Sequence, residues 1–271
     1  MKCITLSALL FTIIFVPFNT CKAFDSDRFI NARAYSMGNT SSVLPGFTNP
    51  ASYGFLPSRF LSLEYMNRYG IKELSSFAAT VNYPNPYLNS GMYVSRYGFD
   101  AYNETLISLN FYKTLSKVIS LGVRMNYMGV HYSEKEPDAG TVTGDVGVLM
   151  HPSDYLNLSL LITNPLRTEV QMGEESAQLP NVLTMGISFQ PEDMFLLTAE
   201  VEKDFALPVI YKFGMEYMPI KELSLRVGMW RKPFTPSFGM GLNLNPFIVN
   251  LAFSSHPVLG FNSCCALQFN F

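Results

Sequence analysis

From Arg59 to Phe271 the chain falls into segments in which apolar and polar side chains alternate with a period of two. In KFGMEYM, the residues of one face are Phe213, Met215 and Tyr217, and those of the other are Lys212, Gly214 and Glu216. Each segment has about ten residues, which is the length of a tilted transmembrane β-strand. This alternation predicts strands with one apolar and one polar face.

Fourteen such segments can be placed, with bounds 59–68, 74–83, 88–97, 102–112, 118–130, 141–150, 155–164, 181–189, 194–203, 209–218, 222–231, 235–244, 247–255 and 261–271. Short turns rich in Pro or Asp alternate with longer connections, of which the longest are 131–140 and 164–179. A transmembrane barrel has an even strand number and separates short turns from long loops, whereas a soluble β-sandwich, the alternative, does not. We therefore predict an all-β fold, a transmembrane antiparallel β-barrel of about 14 strands over residues 58–271.

The first 23 residues, MKCITLSALLFTIIFVPFNTCKA, have the layout of a secretory signal peptide. Lys2 is followed by an apolar run too short to span a membrane as a helix, and Ala23 is a small residue at the expected cut. Lipidation of Cys21 is the alternative, but the preceding residues lack the pattern of a lipid-attachment site. Export and a lipid-facing wall predict a location in the cell outer membrane, with outer-membrane lipid as a partner.

Composition and motifs argue against several other classes. Charged residues make up only 15% of the chain and the net charge is −2, so we expect no nucleic-acid partner. Cys264 and Cys265 are neighbours on opposite faces of a strand and cannot form a disulfide framework or a metal site. His131 is the least implausible catalytic candidate, but no serine or cysteine nucleophile lies near it in sequence. We expect a protein that is not an enzyme and has no cofactor.

Charged residues recur on the face of the strands that we expect to line the lumen. They are Glu64, Arg124, Asp145, Glu200, Glu202, Lys212, Glu216 and Arg226. They could form a polar conduit or a binding site along the wall. The alternative, which the mixture of signs favours, is that they pair with one another as in any polar barrel interior.

Residues 24–57 precede the first strand and are rich in Gly, Asn, Ser and Pro. A barrel of fourteen strands encloses a lumen that wall side chains alone do not fill. The segment also carries many aromatic and aliphatic residues for a disordered periplasmic tail, which is the alternative. We therefore predict a plug that packs against inward-facing glycines, which are Gly122, Gly186, Gly214, Gly228, Gly239 and Gly241.

The same segment carries a family resemblance. INARAYSMGNTSSV followed by TNPASYGFL resembles the N-terminal signature of the FadL superfamily of outer-membrane proteins. The matching positions, which the resemblance assigns to a plug or gate, are Arg33, Met37, Gly38, Asn49, Pro50 and Ala51. Stretches such as SLGVRMNYM and FGMGLNL are similar to the branch of PorV and PorQ, components of the type IX secretion system.

Two functions follow as expectations from the resemblance. The first is an outer-membrane component that holds or passes a secretion-system or cargo protein without catalysis, as in the PorV and PorQ branch. The second is a plug-gated transporter of a hydrophobic small molecule, as in FadL itself. The chain departs from the family in having MGNTSSVLPGF in place of MGGA and an acidic stretch, and in its compact outer loops, which argues against lipid import.

Overall fold

The computed structural model describes residues 28–55, 58–132, 138–172, 175–205, 207–231 and 233–271. The predicted signal peptide lies outside the described residues. No helix in the described part of the chain is long and apolar enough to cross a membrane.

Fourteen antiparallel strands close into a barrel, which confirms the predicted fold class and strand number. The barrel strands are β1 (Phe60–Asn67), β2 (Ser75–Tyr83), β3 (Asn89–Phe99), β4 (Tyr102–Thr114), β5 (Ile119–His131), β6 (Ala139–Ser153), β7 (Leu156–Thr163), β10 (Val182–Glu192), β11 (Phe195–Asp204), β12 (Ile210–Ile220), β13 (Leu223–Trp230), β14 (Thr235–Leu244), β15 (Phe247–His256) and β16 (Gly260–Asn270). Each strand pairs with its neighbours in this order, so β7 pairs with β10, and β1 closes the barrel on β16.

The side-chain alternation seen in the sequence becomes an apolar exterior and a polar interior. On β12, Phe213 and Met215 are exposed on the outer surface, whereas Lys212 and Glu216 are buried inside. A charged side chain at mid-depth on the outer surface would cost about 2–4 kcal/mol in lipid, which explains the placement of the charges. The wall is therefore built for contact with hydrocarbon.

The connections are segregated as predicted. The tight turns 154–155, 193–194, 221–222 and 245–246 lie at one end of the barrel, here the turn end, together with the start of β1 and the end of β16. The longest connections, 132–138 and 164–181, lie at the opposite end, here the loop end. One expectation is corrected: 164–179 is not a plain loop but contains a hairpin of β8 (Glu169–Met172) and β9 (Glu175–Gln178).

The hairpin forms because it has an apolar surface to cover. Val170 and Leu179 are buried against Val130 and Ala139 of the barrel wall. Alternation within a four-residue strand is too short to distinguish from loop in sequence, so the tertiary contact decides the structure.

Residues 28–55 lie inside the barrel. They include one short helix, α1 (Ala32–Ser36), whose N-cap Asn31 accepts a hydrogen bond from the Ala34 amide at 3.1 Å. The chain leaves α1 through two left-handed residues, Gly38 and Asn39, at φ of 67° and 58°. The segment is nearly all buried, so it fills the lumen as the plug of this barrel.

Candidate functional site

The plug rests on a surface of glycines on the inner wall. A Cβ at Gly228 would lie 2.8 Å from the Cα of Gly38, and a Cβ at Gly214 would lie 2.7 Å from the Cβ of Met37. A Cβ at Gly122 would also meet plug backbone, whereas Cβ atoms at Gly147, Gly186 and Gly239 would meet plug side chains, so the plug takes the place of wall side chains. Gly241 differs from the prediction, because its neighbour is the Arg226 side chain of the wall.

The Met37–Gly38 corner is held by the wall through hydrogen bonds. The Gly38 amide donates to Ser237 Oγ at 3.0 Å, and Ser237 Oγ donates to the Ser36 carbonyl at 3.1 Å. Gly38 also needs its positive φ, which costs other residues strain. Glycine at this position is therefore required both by conformation and by space.

The turn at Asn49, Pro50 and Ala51 is the second fixed point of the plug. Asn49 Nδ2 donates to the Ser42 carbonyl at 2.8 Å, and Asn49 Oδ1 accepts from the Ala51 amide at 3.0 Å. Asn110 of the wall donates to the Pro50 carbonyl at 3.1 Å. These contacts give the motif a local folding role whatever else it does.

Arg124 and Asp145 form a buried ion pair on adjacent strands, with Nε to Oδ2 at 2.9 Å and Nη2 to Oδ2 at 2.5 Å. Arg124 Nη1 also donates to the plug carbonyls of Phe47 and Thr48, and its guanidinium lies 3.8 Å from the ring centroid of Phe29. A buried guanidinium is tolerated only with its donors satisfied, and the plug supplies two of the acceptors.

Two further charge clusters connect plug and wall. Arg33 donates to Glu216 Oε2 at 3.1 Å from Nε, and Arg226 Nε donates to Glu216 Oε1 at 2.8 Å. In the second cluster Lys212 lies 2.7 Å from Glu202 and 3.2 Å from Glu200.

Glu200 also ties its cluster to the plug, because Ser42 donates to Glu200 Oε2 from its amide at 2.8 Å and from its hydroxyl at 2.6 Å. Among the eight predicted charges, Glu64 alone has no ion pair within the described part of the chain, and its Oε2 is buried without a hydrogen-bond partner.

Two cavities lie on the side of the lumen that the plug does not fill. One, of about 180 Å³, faces the loop end and is lined by Phe29, Tyr35, Met66, Trp230, His256 and Cys264 among others. The other, of about 330 Å³, faces the turn end and is lined by Arg33, Tyr53, Glu64, Lys221, Arg226 and Gln268 among others. Both cavities are bounded by Ile30 and Asn31 of the plug.

The wall beside the cavities is continuous between them. The cavity that faces the loop end, here the outer cavity, is lined on β1 and β16 by the paired residues Met66 and Cys264. The cavity that faces the turn end, here the inner cavity, is lined by the next lumen-facing pair of these strands, Glu64 and Ala266. The chain at Ile30–Asn31 is thus the barrier between two spaces that approach each other from opposite ends of the barrel. Its anchors are the Ile30 amide on Tyr93 Oη at 3.0 Å and Asn31 Nδ2 on the Pro45 carbonyl at 3.3 Å.

The wall has no lateral break among the described strands. Strand pairing from β16 through β1, β2, β3 and β4 runs without a register shift. The shifts that occur, next to Glu192, Ile220 and Ser153, lie at the turn end. A route between lumen and bilayer through the wall is not built into this conformation.

His131, the residue considered for catalysis, lies at the loop end, where its Nδ1 is 2.6 Å from Asp138 Oδ1. No group of three or more His, Cys, Asp or Glu side chains suited to a metal ion occurs in the parts of the chain that the structure describes.

The fold is shared with outer-membrane channels of known structure. A deletion mutant of TodX, described as a monoaromatic hydrocarbon channel, matches with a TM-score of 0.69 at 14% identity, over 90% of this chain and 100% of that chain. The Pseudomonas putida toluene transporter TodX matches with a TM-score of 0.66 at 13% identity, over 89% and 96% of the two chains.

A Pseudomonas aeruginosa FadL homologue matches with a TM-score of 0.59 at 11% identity, over 90% and 98%. No family model and no curated protein matches the sequence. At these identities the likeness concerns the fold, which is that of FadL-type barrels.

Several residues that form the site were not predicted. The residues concerned are outside the six matching positions of the family signature, and they are Phe29, Asn31, Phe47 and Thr48 of the plug and Asn164 at the base of the hairpin. Asn164 has a positive φ of 49°, and its amide donates to Asp145 Oδ1 at 2.9 Å. Asn before Pro signals a turn in sequence, but not the carboxylate that the turn binds.

Proposed function

We propose that this chain is an outer-membrane channel for small, partly apolar molecules, and that residues 28–55 are its gate. The observation that carries the proposal is the pair of cavities that meet at Ile30 and Asn31 from opposite ends of the lumen. The apolar exterior of the barrel supports an outer-membrane location. The likeness in fold to a toluene transporter and to a FadL homologue supports transport.

The linings suggest the class of substrate. Aromatic side chains of Phe29, Tyr35 and Trp230 line the outer cavity together with Arg68. The inner cavity is lined by several charged residues, among them Glu64. A cavity of about 180 Å³ accommodates a single ring better than a long acyl chain. The substrate class that fits best is therefore a small ring compound with one polar group. This class differs from the fatty acids expected from the resemblance to FadL.

Opening would require a small shift of the segment that precedes and begins α1. Apolar packing of Ile30, Ala32 and Tyr35 holds this segment in the lumen. Polar contacts add to it, since Tyr35 Oη lies 2.8 Å from Ser254 Oγ and Arg33 pairs with Glu216. The rest of the plug is fixed on the glycine surface and at the Asn49 turn. A local movement of residues 30–36 would join the cavities without expelling the whole plug.

The single tryptophan of the chain makes binding directly measurable. Trp230 lines the outer cavity, with its ring centroid 5.5 Å from that of Tyr35. Titration of the purified protein with benzyl alcohol, benzoate and palmitate should change Trp230 fluorescence saturably for the two ring compounds and not for palmitate.

Passage is tested separately, by efflux of entrapped benzoate from proteoliposomes. Efflux above that of protein-free liposomes is expected. Absence of both saturable binding and efflux would contradict the channel function.

A second candidate is a component that holds a secreted or secretion-system protein, resembling PorV and PorQ. The β8–β9 hairpin supports it, because it covers part of the loop end and the preceding Leu166 is 82% exposed. Native mass spectrometry of the protein extracted from its own membrane in mild detergent distinguishes the two. A stoichiometric protein partner favours the secretion role, whereas a bound small molecule without a protein favours the channel.

A further inference from the structure

The outer wall of the barrel carries a groove that takes no part in the lumen. It has a volume of about 890 Å³ and spans β15, β16, β1, β2, β3 and β4 on the side that faces lipid. Two successive rows of outward residues line it. The row nearer the turn end is Val249, Leu267, Leu63, Ala79 and Val94, and the row nearer the loop end is Cys265, Tyr65, Phe77, Arg96 and Thr105.

The groove arises from side-chain size. Ala79, Val94 and Cys265 are small and form its floor, whereas the next outward row toward the turn end consists of Phe247, Phe269, Leu61, Val81, Met92 and Leu109. The outward side chains that line it are apolar apart from Arg96, Thr105 and the hydroxyl group of Tyr65. Such a shape fits an acyl chain lying along the wall.

Arg96 gives the groove a polar end. It is exposed, points outward from β3 beside Phe77 and Thr105, and has no hydrogen bond or ion pair within the described part of the chain. It lies close to the loop end of β3, near the 3₁₀-helix Lys72–Leu74, which contacts that strand and presents exposed Lys72. A lipid-facing arginine is costly at mid-depth and tolerated near the interface, where headgroups are found.

We propose that this groove binds a phosphorylated glycolipid of the lipid A type from the outer leaflet. One acyl chain occupies the apolar groove, and the guanidinium of Arg96 binds a phosphate, for which its planar donor pair is suited. The outer leaflet is specified by position, since long loops of such barrels face outward and Arg96 lies toward them. The proposal is independent of the channel function, because the groove faces away from the lumen.

The chain offers matched controls on β11, on the other side of the barrel. Lys203 is an outward cation near the loop end, and Ala199 is an outward alanine with partial exposure like that of Ala79. Neither belongs to the groove. Arg96→Gln can therefore be compared with Lys203→Gln, and Ala79→Phe, which fills the floor, with Ala199→Phe.

Native mass spectrometry of detergent-solubilised protein with added bis-phosphorylated lipid A measures the bound fraction. We expect one retained lipid A per wild-type barrel, about tenfold weaker retention for Arg96→Gln through loss of charge-assisted hydrogen bonds, and a similar loss for Ala79→Phe. The two β11 variants should retain lipid A like the wild type.

Two further probes test the identity of the lipid. The wild-type barrel should retain lipid A without phosphates no better than the Arg96→Gln variant retains bis-phosphorylated lipid A. The wild type should also retain phosphatidylglycerol more weakly than bis-phosphorylated lipid A. Unchanged retention by Arg96→Gln would overturn the proposal, as would equal losses in the β11 variants. Equal retention of phosphatidylglycerol would overturn the assignment to lipid A.

Discussion

Asp145 accepts hydrogen bonds from Arg124 through Oδ2 and from the Asn164 amide through Oδ1, so one carboxylate contacts the plug-binding arginine and the base of the outer hairpin. Arg124 in turn binds the Phe47 and Thr48 carbonyls of the plug. The hairpin, wall and plug are therefore connected through a single buried ion pair.

Arg124→Met is expected to loosen the plug while the barrel remains closed. Removing one partner of a buried ion pair costs about 3–5 kcal/mol, because the remaining charge is left uncompensated. Limited proteolysis within residues 28–55 measures plug release, and heat-modifiable migration on gels measures the barrel. The double variant Arg124→Met with Asp145→Leu should recover part of the loss. Full protection of the plug in the single variant would contradict this role.

Gly228→Ala is expected to displace the Met37–Gly38 corner. The added Cβ would lie 2.8 Å from Gly38 Cα, and overpacking of this kind typically costs about 1–3 kcal/mol. Higher single-channel conductance in planar bilayers is the measurement. Gly144→Ala is the matched control, since its Cβ would lie 3.6 Å from the Arg124 carbonyl oxygen, an ordinary contact. Equal single-channel conductance of the two variants would show that Gly228 is not needed for contact with the plug.

Arg33→Gln is expected to raise the frequency of channel opening with little effect on stability. The Arg33 side chain is 29% exposed, so water partly screens its ion pair with Glu216. Glu216 keeps Arg226 as a partner, 2.8 Å away. Bilayer recordings give the opening frequency, and urea unfolding gives the stability. A conductance trace indistinguishable from that of the wild type would show that Arg33 does not hold the channel closed.

Glu64→Gln is expected to leave the stability of the barrel unchanged or to raise it. The Oε2 atom of Glu64 is buried without a hydrogen-bond partner and its side chain has no ion pair in the described part of the chain, so Gln replaces a carboxyl group whose burial is uncompensated. The midpoint of urea unfolding should stay the same or rise. A marked loss of stability would mean that the carboxylate has a structural partner.

The sequence by itself determined the wall and the plug. Period-two alternation is a local property, so it predicted fourteen strands, their inward charges and the turn and loop ends. The inward glycines also predicted that the plug approaches the wall closely, and Gly214 and Gly228 do lie against the Met37–Gly38 corner.

Only the tertiary structure decided which groups meet. Arg33 and Glu216 are brought together by the position of the plug, and Asn164 meets Asp145 through the path of a long connection. The cavities are what remains of the lumen once every side chain is packed, and the outer groove depends on residues of six strands lying side by side. Such contacts depend on the sum of many packing interactions between distant segments, and no short stretch of sequence contains that information.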